Sequence, residues 1–77
     1  MTKVEFLKSK EYRDRMNEIK NYSEGFEFVI LLYNMTKKQR CKMRIVIQDA
    51  IREGLIEPTQ IRVSLSGNIT EVKYRRL

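Results

Sequence analysis

Seventy-seven residues carrying 16 lysines and arginines, 10 acids, one cysteine and no histidine set narrow limits. A chain of this length forms one domain (1–77), and its core alone contributes no more than about 3–5 kcal/mol net. Cys41 has no partner for a disulfide, and without histidine it cannot build a zinc site. Neither staple is open to the chain, and added stability has to come from a second subunit.

The charge is unevenly placed. Residues 1–35 hold six cations and six acids, whereas residues 36–77 hold ten cations against Asp49, Glu53, Glu57 and Glu71, so the formal +6 lies in the second part. Such asymmetry is the electrostatic footprint of an anionic partner, most often nucleic acid. The alternative, a basic surface that only keeps a small protein soluble, needs no ligand. No signal-peptide core follows Met1, and the longest apolar run, Phe28 to Tyr33, is about a third of a membrane span. With one unpaired cysteine, these features predict a cytoplasmic protein without membrane contact.

In chain order, Thr2-Lys3-Val4-Glu5 matches a capping box, and Ser9 offers a second helix start. Tyr12, Met16 and Ile19 then recur at helical spacing, predicting a helix over 9–21 with Val4, Phe6 and Leu7 as its lead-in. After a break at Asn21–Gly25, the run Phe26 to Met35 is apolar in nearly every position. As a helix capped by Ser23 it would lie buried in the middle of a bundle. As a strand over 26–33 it suits the pleated-sheet preference of Phe, Val, Ile and Tyr. The helix is preferred here.

Thr36 and Gln39 form a further capping box, and Gly54 stands where a left-handed C-terminal cap is wanted, with Leu55 beyond it to fold back. Between them Met43, Val46, Ile47, Ala50 and Ile51 share one face, predicting a helix over 37–53. Glu57-Pro58-Thr59-Gln60 ends it. Gly67-Asn68 is read as a two-residue turn that pairs Leu65 with Thr70, Val63 with Val72 and Ile61 with Tyr74. Every large apolar residue of this hairpin except Ile69 then faces one side, which must rest on the helices.

Catalysis finds no support. Histidine, the commonest general acid–base group, is missing, and Cys41 reads as a small half-buried thiol with no imidazole to activate it. The pairs Asp14/Glu18 and Asp49/Glu53 lie one helical turn apart, as solvated helix faces routinely place them. No glycine loop cradles a phosphate, so neither a cofactor nor a metal is expected.

The start of the helix at 37 is the informative feature. Lys37, Lys38, Arg40, Lys42 and Arg44 put five cations in eight residues with no acid among them. Cations at the positive end of a helix dipole cost roughly 0.3–1 kcal/mol each, a conflict that a nearby anion removes. On a helical wheel, Lys37, Arg40 and Arg44 flank one side of the apolar stripe and Lys38 and Lys42 the other. Ile45 falls among the polar positions, where it would meet a thymine methyl, a partner subunit or nothing. A second basic cluster, Lys73, Arg75 and Arg76 with Arg62 across the hairpin, would give the ribbon a positive rim.

Three helices followed by a C-terminal β-hairpin make an α+β fold similar in architecture to winged helix-turn-helix domains. That similarity implies a small DNA-binding regulator. Gln39 and Arg40 would be its base-reading candidates, Lys37, Lys38, Lys42 and Arg44 would sit on phosphates, and the hairpin would be a wing. DNA ranks ahead of RNA as the expected partner. If 26–33 is a strand instead, the order becomes αβαββ in two layers. The chain would then suit a homodimeric interaction or inhibitor module with an acidic protein partner.

Overall fold

Each helix starts where an oxygen-bearing side chain satisfies an otherwise unpaired backbone N–H. In this computed structural model, which describes residues 2–77, α1 spans Lys3–Leu7 with the Thr2 hydroxyl accepting from the Glu5 N–H. Ser9 does the same for α2, Lys10–Asn21, accepting from the Tyr12 N–H. α3, Lys37–Arg52, opens on a reciprocal capping box: the Gln39 N–H donates to the Thr36 hydroxyl, and the Thr36 N–H donates to the Gln39 side-chain oxygen. It ends as its sequence indicates. Gly54 adopts φ +74°, its N–H reaches the Ile51 carbonyl, and the Leu55 N–H reaches that of Ala50.

The segment after Gly25 corrects the preferred helical reading. Glu27–Leu31 is strand β1, followed by a single 3-10 turn over Leu32–Asn34. Phe28 and Ile30 point inward while Val29 and Leu31 are exposed, the two-residue alternation of a half-buried strand. A helix apolar on all sides needs neighbours on all sides, and a chain of this size has too few elements to supply them. The helix predicted over 26–35 is therefore replaced by the strand of the αβαββ alternative, and the fold is α+β with helices ahead of a C-terminal antiparallel hairpin.

That hairpin is β2, Ile56–Val63, and β3, Ile69–Arg76, and β1 pairs with the free side of β3 to give an antiparallel sheet of order β1-β3-β2. Its register also departs from expectation. Ile61 lies opposite Val72 and Val63 opposite Ile69, with irregularities at Pro58/Gln60 and Arg62/Val63, and 64–68 form a longer loop. The Ser64 N–H and hydroxyl bond Asn68 across this loop, and Ser66 adds to the network, so polar side chains override a two-residue turn. Leu65, expected on the apolar face, is fully exposed in the loop.

Helices cover one face of the sheet. Phe6, Met16, Ile19, Val46, Ile47, Ala50 and Ile56 form the buried cluster, with Phe28, Ile30 and Tyr74 of the sheet packed against it. Within the helical layer, the Tyr12 hydroxyl of α2 donates to Asp49 of α3 at 2.6 Å. Burial, and next that hydrogen bond, push the Tyr12 pKa up to about 12. A pKa raised on folding contributes stability below the unfolded value near 10 and loses it as pH climbs through that value towards the folded one. Chemical unfolding across that alkaline window should show a steeper loss of stability for the native chain than for Tyr12→Phe.

Candidate nucleic-acid interface

Strand alternation and the helical repeat divide the predicted basic residues into two groups. On the sheet face away from the helices, Arg62 pairs with Glu71 at 3.0 Å, Lys73 with Glu27 at 2.9 Å, and Arg75 with Glu57. Three cations and three carboxylates from adjacent strands thus form a locally neutral lattice, and the Lys73 ammonium holds the Glu27 carboxyl below its usual range. The expected positive rim of the hairpin is neutralised by the protein's own acids. These pairs are exposed and weak, but they leave little uncompensated charge there.

Arg76 has a different task. Alternation turns it to the helix side, where its guanidinium donates to the carbonyls of Ile19, Leu55 and Leu77 at 3.2, 3.2 and 2.9 Å and reaches that of Lys20 at 3.5 Å. It caps the C-terminal carbonyls of α2 and ties them to the strand layer. A terminal basic cluster in the sequence gives no signal of this, because only the packing of α2 against β3 brings those carbonyls within reach.

On α3, Lys42 is also spoken for. Its ammonium pairs with Glu11 of α2 at 3.1 Å and lies 5.9 Å from the centre of the Phe6 ring. Gln39, a base-reading candidate, uses its side-chain oxygen in the capping box. Ile45 is not among solvated positions: it packs against the core and lines a crevice with Thr2, Lys3 and Phe6, because α1 covers that flank of the helix. Cys41, expected to be half-buried, is exposed.

What remains is contiguous. Lys37, Lys38, Arg40 and Arg44 are exposed and make no ion pair among the described residues. Lys37, Lys38 and Arg40 crowd the first turn of α3, at the positive end of its dipole, and Arg44 follows one turn on. Arg40 and Arg44 lean towards the hairpin and border a groove of about 420 Å³ floored by Met43, Ile47, Val72 and Tyr74. Ile69, expected on the solvent side, lines that groove instead, since the irregularity at Arg62/Val63 re-aims the strand end.

The segment ahead of α3 is one 3-10 turn where a helix-turn-helix would place a helix. Among the described residues, no group of three or more Cys, Asp or Glu is placed to hold a metal ion, and no helix is long and apolar enough to cross a membrane. Comparison with protein-family models, curated proteins and solved structures found no match to this chain.

Proposed function

We propose that the chain is a small cytoplasmic nucleic-acid-binding protein, without enzymatic activity, that grips phosphates with the N-terminal half of α3. The observation carrying this reading is the difference in pairing. Arg62, Lys73 and Arg75 each have a carboxylate partner, whereas Lys37, Lys38, Arg40 and Arg44 have none among the described residues. Lys37, Lys38 and Arg40, in the first turn of one helix, oppose its stability, and an anion would relieve that opposition. Duplex DNA suits the shape better than duplex RNA, because the B-form major groove admits an exposed helix and the A-form groove does not. In this arrangement Arg40 is the base-reading candidate and Lys37, Lys38 and Arg44 sit on phosphates. The hairpin adds little charge of its own, so the grip resides in α3 and not in a wing.

Three phosphate contacts predict a logarithmic salt slope of about −3 on duplex DNA, an affinity loss of ~40-fold between about 50 and 200 mM salt. Replacing all four residues with alanine should flatten that slope, while Arg62→Ala with Lys73→Ala should change it little. Undetectable binding of the native chain to duplex or single-stranded DNA or RNA at low salt would end the proposal. Lys37→Glu with Lys38→Glu separates function from folding. It should abolish binding yet stabilise the protein by roughly 1–2 kcal/mol, since acids suit the first helical turn.

A further inference from the structure

The groove between α3 and the hairpin has a chemistry that phosphate binding does not explain. Its lip is formed by Ile51 and Ile69, which are 42% and 48% exposed, and the strip continues along β2 through Ile61 and Val63 at 54% and 53%. Ile51, Ile61, Val63 and Ile69 are thus left without full cover on this side of the hairpin. Among the described residues, Arg40 and Arg44 are the only charged ones lining the groove, and neither makes an ion pair. Nucleic-acid interfaces are polar and basic, and a floor of aliphatic side chains is poor ground for them.

Other occupants fit less well. A second copy meeting this groove through a two-fold axis would bring the same two arginines against themselves, with no carboxylate in the groove to separate them. Strand addition along the open edge of β2 is hindered by Pro58 and by irregularities at Pro58/Gln60 and Arg62/Val63. Complementarity calls for apolar side chains with carboxylates beside them. Arg40 and Arg44 lie one helical turn apart, about 6 Å along the axis, which matches two acids spaced by four residues on a helix aligned with α3.

We propose that this groove docks an acidic, amphipathic helix of a partner protein, its apolar stripe seated between α3 and the hairpin and its carboxylates on Arg40 and Arg44. The groove shares Arg40 and Arg44 with the nucleic-acid grip proposed above, so, where that proposal holds, the two ligands exclude one another. A partner of this kind would release the protein from nucleic acid.

The test uses the full chain and a fluorescent synthetic peptide of about 18 residues, with leucines at helical spacing and glutamates flanking them. Two control peptides are needed: one with the same composition in scrambled order, and one with lysine for each glutamate. The amphipathic acidic peptide should bind at least about tenfold more tightly than either control. Ile51→Gln with Ile69→Gln, and separately Arg40→Glu with Arg44→Glu, should each weaken it by about tenfold or more. Ile51 and Ile69 are half-exposed, so these variants should fold, and circular dichroism verifies it. Lys38→Glu, on the flank of α3 away from Arg40 and Arg44, should leave peptide affinity nearly unchanged while lowering affinity for duplex DNA, which reads the nucleic-acid proposal separately. Equal binding of the scrambled peptide, or indifference to the isoleucine substitutions, would overturn the docking site. Loss of DNA binding in the isoleucine variant without peptide binding would assign the groove to nucleic acid instead.

Discussion

Ile56→Ala is expected to leave the chain largely unfolded in dilute buffer. Ile56 is 1% exposed, opens β2, and sits in the buried cluster with Val46 and Ala50 of α3. Removing that much buried side chain costs about 2–5 kcal/mol, depending on how far the site collapses. A domain of this length has only about 3–5 kcal/mol in total from its core. The loss is therefore comparable with the whole. Ile56→Val, costing about 0.5–1.5 kcal/mol, should stay folded with a lower midpoint. Urea titration followed by circular dichroism distinguishes them, and a native-like midpoint for Ile56→Ala would contradict the placement of Ile56 at the junction of the two layers.

The second large effect is expected at Arg76. Its guanidinium satisfies carbonyls from the end of α2, the start of the hairpin and the chain's last residue, so Arg76→Ala opens three places at once. Hydrogen bonds from a charged donor contribute about 1.5–3 kcal/mol, and a loss of about 2 kcal/mol lowers Tm by roughly 8–16 °C in a domain of this size. Arg75→Ala is the matched control. It removes the neighbouring cation from the opposite face, where an exposed pair with Glu57 contributes about 0–1 kcal/mol. Thermal melts of the two variants should differ clearly. Equal melts would mean that Arg76 is only surface decoration. Because Arg76 belongs to folding and not to the proposed interface, its loss should not change the salt slope of any nucleic-acid binding measured below its melting point.

These expectations bear on how a basic surface is read. A count of lysines and arginines treats the clusters at 37–44 and 62–76 alike. In three dimensions they differ, one on the first half of a helix with only Lys42 of its five cations paired, the other folded into a sheet whose neighbouring strands supply three carboxylates. Net charge localised the asymmetry to the second part of the chain, where, among the described residues, five cations have no carboxylate partner, four of them on α3 and the fifth, Arg76, held by backbone carbonyls.

Local chemistry was legible from the residues alone wherever a short-range rule governs. The Ser9 and Thr36 caps, the Gly54 terminus, the helices near 9–21 and 37–53 and the presence of a C-terminal hairpin all rest on contacts within a few residues, and each is found. Packing decided the rest. Within Phe26 to Met35, Glu27–Leu31 is a strand because β3 offers it an edge and the small chain offers no bundle interior. The hairpin register follows Ser64 and Asn68 instead of a two-residue turn. Arg76, Lys42 and Gln39 are committed because α2, Glu11 and the Thr36 cap come to them. A side chain's neighbours along the chain are given by spacing, but its neighbours across the fold, which set its free charge and exposure, exist only once the layers have closed.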